Sequence, residues 1–286
     1  MSISIPPLLT KHCAKTAERS SWLAALPDTV LRLQERWGIS LDAPFDHAYV
    51  SCSWVAPATL PDGTPAVLKV GMPHMEAEQE MDGLRFWDGN AAVRLLDSDN
   101  AANAMLLERC LPGIPLLSLP ETEQDPIVTA MLRRLWRKPL PGRFRPLSAV
   151  VAYWSEETRK DRERWPDATL VNEGLETFAA MAAETSDSVL LATDLHAGNV
   201  LQAQREPWLM IDPKPFVGDP AYDLTQHLLN CEQRLQSDPR GLIRRVANLA
   251  GVDAERVRLW LFARAAAEPR DHWSSHWKME LARSLR

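Results

Sequence analysis

No apolar run in the sequence approaches the roughly 18–20 residues that a membrane-crossing helix needs. The opening stretch, MSISIPPLLTKHCAKT, has no basic segment followed by a long apolar one, so no secretory leader is expected. Cysteine is sparse. Cys13, Cys52, Cys110 and Cys231 are scattered without a CxxC pair, which predicts free thiols in a reducing cytoplasm and excludes a disulfide framework or a cysteine zinc site. Lysine is scarcer still relative to arginine, 7 against 25, and the 38 acids outnumber both together, giving a net charge of −6. A general nucleic-acid binder needs a basic surface to displace counterions, and this balance excludes one. There is no internal repeat, no low-complexity tract and no G-x-S-x-G, so an α/β-hydrolase reading lacks its nucleophile elbow.

What remains is a chain of 286 residues, 45% hydrophobic and with 11 Trp, enough for one large domain or two lobes around a substantial core. Residues 17–37 carry Trp22, Leu23, Leu26, Val30, Leu33 and Trp37 at helical spacing, and Pro27 predicts two short helices or one broken one. Residues 48–55 and 65–70 are extended runs around Pro61-Asp62-Gly63, a hairpin signal. A helix is expected from Pro73 to about Trp87, then strands over 92–96 and 104–107. Beyond Pro112-Gly113 the pattern turns helical, with segments near 121–138, 147–164, 167–185, 220–235, 239–250 and 253–268, one more toward Arg286, and a β-like stretch over 189–211. These elements predict an α+β, two-lobed protein: a small β-rich lobe over 1–111, with the helical segment 17–37, and a larger helical lobe over 112–286. Ligands are expected between the lobes.

The densest chemistry lies in residues 189–212. An apolar strand runs into a polar loop with Asp194 and, five residues on, Asn199; a second strand then ends in Asp212. Acid, amide and acid at strand ends suit phosphoryl transfer, which needs one group to orient and deprotonate a hydroxyl and oxygen ligands for Mg²⁺ on nucleotide phosphates. Asp194-Leu-x-x-x-Asn199 matches part of the kinase catalytic loop. A single Asp here reads as a turn residue; three at this spacing read as a motif. Upstream, Lys69 interrupts the apolar strand Val67–Val70. It either snorkels from an edge strand or pairs with a carboxylate, and Glu76 and Glu80 both stand one helix away.

Together these pieces resemble the aminoglycoside phosphotransferase family, most closely its streptomycin 6-phosphotransferase and hydroxyurea phosphotransferase branch. The resemblance runs from about Phe45 to the C-terminal helices. It rests on Asp62–Lys69, Glu80 with Leu84–Gly89, Ala92–Leu96, Leu107–Arg109 with Pro112-Gly113, Asp194–Asn199, Ile211–Lys214 and Gly218–Asp223. It implies a protein-kinase-like fold and an ATP- and Mg²⁺-dependent enzyme that moves the γ-phosphate to a hydroxyl of a small molecule, streptomycin-like or hydroxyurea, in antibiotic resistance. By residue it implies Asp194 as catalytic base, Asn199 and Asp212 as Mg²⁺ ligands, and Lys69 on the nucleotide phosphates, held by Glu80 or in reserve Glu76. Ser51 and Ser53 would face the phosphates, and the backbone of Glu108, Arg109 and Cys110 would read adenine. Many members carry His-Gly before the catalytic Asp, where this chain has Ala192-Thr193, and the phosphate-covering loop lacks GxGxxG. A nucleotide-binding pseudokinase and a metabolite kinase unrelated to resistance therefore stand as alternatives. Membrane and nucleic-acid partners are not expected, the location is cytoplasmic, and the oligomeric state is open.

Four constellations carry weaker signals. Asp219 and Asp223 read as helix capping and loop bracing, and His196 as a loop or substrate-side residue rather than a base. His272 and His276 have i, i+4 spacing without the Glu of HExxH, which favours packing over metal. Arg133, Arg134, Arg137, Lys138, Arg143 and Arg145 read as a solvated face. Residues 1–111 carry net charge −5 and 112–286 net −1, so global acidity gives no case for a cationic acceptor. Such a case rests on the local acids Glu121, Glu123 and Asp125, or Glu268 and Asp271.

Overall fold

The computed structural model describes residues 3–46, 52–184, 186–269, 273 and 276–286. The chain divides into two compact units, Met1–Ile114 with Leu201–Ile211, and Pro115–Val200 with Asp212–Arg286. The segment 201–211 thus packs with the first unit although it lies beyond the catalytic-loop sequence.

In the first unit, helices α1 (Pro7–Cys13) and α2 (Ala17–Trp37) precede an antiparallel sheet of β1 (Ser40–Leu41), β2 (Ser53–Thr59), β3 (Pro65–Gly71), β4 (Leu95–Asp99) and β5 (Ala104–Glu108) in the order β1-β2-β3-β5-β4. The β2–β3 hairpin turns at Asp62, whose carboxylate accepts from the Thr64 amide, and at Gly63, whose φ of +84° suits glycine. Alternation along β3 sends Ala66, Leu68 and Val70 into a core with Trp54, Leu106 and the Leu26, Val30 and Leu33 stripe of α2. Lys69 therefore faces the other side. The strand is central, between β2 and β5, so Lys69 is not on an edge.

Three local expectations change. α2 is one 21-residue helix with Pro27 inside it. Thr16 caps its start, Gly38 at φ +62° ends it, and the buried stripe offsets the hydrogen bond that proline removes. The segment from Pro73 does not form one helix: a 3₁₀ turn at Met75–Ala77 precedes α3 (Glu80–Trp87). β4 begins three residues later than its apolar run suggests, because Ala92 bridges Met210 instead.

In the second unit, helices α4 (Glu121–Leu135), α5 (Leu147–Lys160), α6 (Ala168–Ala183), α7 (Pro220–Asn230), α8 (Glu232–Ser237), α9 (Pro239–Ala250), α10 (Ala254–Ala267) and α11 (His276–Leu285) surround short strands. There β6 (Val189–Leu191) pairs with β9 (Phe216–Gly218), while the intervening pair β7 (Val200–Gln202) and β8 (Trp208–Met210) falls almost wholly within the 201–211 segment of the first unit. The expected single helix over 220–235 is two, broken at Cys231. Asp-Pro opens both α7 and α9: Asp219 and Asp238 cap, and proline sits first, where no amide partner is needed. α10 is buried along most of its length. Gly174 of α6 lets α10 approach, since a Cβ there would meet Ala266 at 2.6 Å. Trp260 stacks edge-on to Tyr222 at 5.1 Å and donates to Asp219 at 2.8 Å, tying α10 to the start of α7.

Candidate active site

In the first unit the ammonium of Lys69 lies 2.6 and 2.7 Å from the two carboxylate oxygens of Glu80, and both side chains are buried. β3 supplies the lysine and the first turn of α3 supplies the acid. Of the two glutamates open to Lys69 in the sequence, Glu80 makes this bond; Glu76 lies on the separate 3₁₀ turn. A buried lysine paired with a carboxylate in this way is fixed in place. Ser53 opens β2 opposite Gly71, and Ser51 lies outside the described residues. The Glu108 side chain is engaged by the guanidinium of Arg205 through two bonds of 2.8 Å and by the Arg94 amide. Burial opposes its charge, but these donors hold its carboxyl below the usual range. Glu108 thus braces the 201–211 segment against β5, ahead of Arg109 and Cys110, and burial pushes the Cys110 thiol up to about 12.

In the second unit Asp194 stands at the centre of a network. The Lys214 ammonium pairs with Oδ2, and the Gln226 amide donates to Oδ1 at 2.8 Å. The Asn199 side-chain NH₂ donates to the Asp194 carbonyl at 3.0 Å, which fixes the loop and turns the Asn199 oxygen the other way. Asp212 follows β8 at φ +53°, a left-handed conformation unfavourable for a non-glycine residue and found where geometry outweighs local comfort. Burial lowers the His196 pKa, and the charges of Asp194 and Asp212 partly oppose that. His196 Nδ1 accepts from the Gly198 amide at 3.1 Å, the loop-bracing role. The oxygens of Asn199 and Asp212 are hard donors of the type Mg²⁺ takes, so the donor set fits that ion.

The loop backbone is braced by Asp223, fully buried in α7. Its carboxylate accepts from the Ala192 amide at 3.0 Å, the Thr193 amide at 2.7 Å and the Trp136 indole at 2.9 Å. Burial pushes its pKa up to about 6 against these donors. Thr193 has φ +51°, a position that suits glycine, and its hydroxyl donates to the Lys214 carbonyl. The Ala192-Thr193 departure is thus accommodated: the amides are satisfied and the hydroxyl adds a bond.

The acid clusters are engaged internally. Asp125 is fully buried and accepts from His227, Arg234 and Arg245 at 2.7–3.1 Å, which holds its carboxyl far below the usual range despite burial. Glu268 accepts from Arg264 at 2.8 Å and lies 3.9 Å from Lys278. Only Glu123 among the described members of the two clusters is exposed; Asp271 and His272 lie outside the described residues. Arg133, Arg134, Arg137, Lys138 and Arg143 are exposed, and Arg145 lies over Phe216 at 5.0 Å. Lys214, Gln226 and Arg264 were not singled out by sequence reasoning. Lys214 carried a signal, as a lysine two residues beyond Asp212.

A five-stranded antiparallel lobe with a buried Lys–Glu pair, and a helical unit presenting an Asp-x-x-x-x-Asn loop, define a small-molecule phosphotransferase of protein-kinase-like fold. Solved structures agree on the fold. A choline kinase of Streptococcus pneumoniae matches with a TM-score of 0.61 at 14% identity, covering 90% of this chain and 99% of that one. An aminoglycoside phosphotransferase of Streptomyces rimosus matches at 0.55 and 18%, covering 82% and 96%. The sequence profile of the aminoglycoside/hydroxyurea antibiotic resistance kinases matches residues 36–273, and the chain belongs to that family. It is 34% identical to a streptomycin 6-kinase of Streptomyces glaucescens over 92% of this chain and 88% of that protein. It is 36% identical to a hydroxyurea phosphotransferase of Kitasatospora aureofaciens over 85% and 72%.

Proposed function

We propose that this kinase uses ATP and Mg²⁺ to phosphorylate a hydroxyl of streptomycin, a related aminoglycoside or hydroxyurea. The observation that carries the reading is the Asp194 carboxylate, held at both oxygens by Lys214 and Gln226 on a loop anchored by Asn199 and Asp223. In this reading Asp194 accepts the hydrogen bond of the acceptor hydroxyl, aligns its oxygen and takes its proton. Asn199 and Asp212 hold the metal. Lys69, kept in place by Glu80, offers positive charge to the phosphates. Ser51, Ser53 and the backbone of Glu108, Arg109 and Cys110 complete the nucleotide contacts. Mg·ATP, when bound, supplies the phosphoryl group and neutralises its developing charge. Positioning and electrostatics supply most of the acceleration. Free thiols and dependence on ATP support a cytoplasmic location, and no helix among the described residues is long and apolar enough to cross a membrane.

Mass spectrometry after incubation with Mg·ATP and a panel of aminocyclitols, hydroxyurea and simple alcohols tests the reading: one acceptor should gain a phosphoryl group. Asp194→Asn should lower turnover at least about 10²-fold without loss of fold. An Asp194→Asn enzyme as active as the parent would overturn the assignment of the base.

A further inference from the structure

Behind Gln226, which already holds Asp194, stand further polar groups on α7 and α10 that the phosphotransfer reading does not use, Thr225 and Arg264 among them buried. Gln226, on the second turn of α7, donates from Nε2 to Asp194 Oδ1 at 2.8 Å. Its Oε1 accepts from the Arg264 guanidinium at 2.8 Å. Arg264 is itself buried on α10 and fixed on several sides. It donates to Thr225 Oγ1 at 2.9 Å and to Glu268 at 2.8 Å, and it lies 5.3 Å from the Tyr222 ring and 5.8 Å from that of Trp154.

The chemistry of the groups fixes the direction of each bond. A guanidinium has five donors and no acceptor. The end of Gln226 that faces Arg264 must therefore be its carbonyl, and the end that faces Asp194 must be its NH₂. A glutamine amide could otherwise turn over and present an acceptor to a carboxylate, which would repel it. Arg264 removes that freedom. The Thr225 hydroxyl donates to the Tyr222 carbonyl at 2.6 Å, so its lone pairs are left for Arg264, and the Glu268 carboxylate offsets the buried charge. A lysine at 264 could not serve Thr225, Gln226 and Glu268 from one planar fork.

We propose that Gln226 is a positioning residue for Asp194, and that Arg264, anchored by Glu268, sets the orientation of its amide. This rests on the reading of Asp194 as the reacting carboxylate. With Lys214 on Oδ2 and Gln226 on Oδ1, rotation of the carboxylate about its last bond is blocked, and each oxygen keeps a lone pair in a fixed direction for the incoming hydroxyl. A 1 Å misplacement of such a group can lower turnover about 10²-fold.

The test is steady-state kinetics on the full chain with its acceptor. Gln226→Leu should lower kcat about 10- to 100-fold, the range for a lost hydrogen bond to a charged group. KM for Mg·ATP should stay within about twofold, because Gln226 acts on the acceptor side. Gln226→Met keeps most of the volume and cannot donate, so it should show the same loss. Arg264→Lys should follow Gln226→Leu. In an Asp194→Asn background, Gln226→Leu should change residual turnover by less than about twofold, since a residue acting only through Asp194 has nothing left to position. Parental kcat in Gln226→Leu or Gln226→Met, or an equal loss with and without Asp194, overturns the proposal. Parental turnover in Asp194→Asn alone overturns the underlying reading instead.

Discussion

The two units hold their charged site residues in different ways. In the first, Lys69 and Glu80 are joined across 11 residues of chain, from a central strand to the next α-helix, and meet in a dry setting. In the second, Asp194 depends on Lys214, Gln226 and, through the loop backbone, Asp223, which lie 20, 32 and 29 residues away and are themselves held by Arg264 and Trp136. The first arrangement centres on one buried pair joined at both carboxylate oxygens; the second spreads its bonds over several elements. A concentrated arrangement should fail sharply when one partner is removed, and a spread one should fail in grades.

The sharpest test is Glu80→Ala. It leaves the Lys69 ammonium buried without its carboxylate, and loss of one member of a buried pair typically costs about 3–5 kcal/mol. Urea denaturation should show that loss. The double variant Lys69→Met with Glu80→Leu should recover most of the stability but not the turnover, because burying two apolar groups of similar volume is near neutral while the charge proposed to face the phosphates stays absent. If Glu80→Ala were as stable as the parent, the concentrated half of the comparison would fail.

The same difference explains what could be read from the sequence. Lys69, Glu80, Asp194, Asn199 and Asp212 are visible because strand, loop and helix fix their spacing locally, and the apolar residues around them make each charge conspicuous. The two-lobed α+β fold was legible for the same reason, from a hairpin signal followed by helical periodicity. Gln226 and Arg264 sit inside helices α7 and α10, where a polar residue at one position is ordinary, and only packing of the two helices brings them to Asp194. The acid clusters misled for a related reason. Asp125 looks like a surface acid in its helix, but α7, α8 and α9 close over it and bring His227, Arg234 and Arg245 with them.

Asp125 offers the next test, of intermediate size. Burial raises the free energy of its charged form, yet His227, Arg234 and Arg245 lower it more, so its folded pKa lies below the unfolded value. A depressed carboxylate adds stability that is present above the unfolded pKa of about 3.9 and lost as pH falls toward the folded pKa. The parent should therefore lose stability steeply below about pH 4, and Asp125→Asn should lose less over that range while being less stable at neutral pH. Denaturation midpoints across the pH series measure both. Equal pH slopes in the two proteins would show that this spread network does not rest on the Asp125 charge.

The smallest effect is expected at Thr193, where the two demands on the catalytic loop oppose each other. Its φ of +51° is unfavourable for a β-branched residue, roughly 1–2 kcal/mol relative to glycine. Its hydroxyl donates to the Lys214 carbonyl, a bond worth about 1 kcal/mol net. Thr193→Gly relieves the first and loses the second, so its melting temperature should lie within a few degrees of the parent. Thr193→Ala loses the hydroxyl and keeps most of the strain, so it should be the less stable of the two by about 1 kcal/mol. The order matters more than the size. An alanine variant more stable than the glycine variant would mean that the left-handed conformation is not held in solution. Asp223 would then not grip the Ala192 and Thr193 amides together, and the graded failure expected of this loop would lose its structural basis.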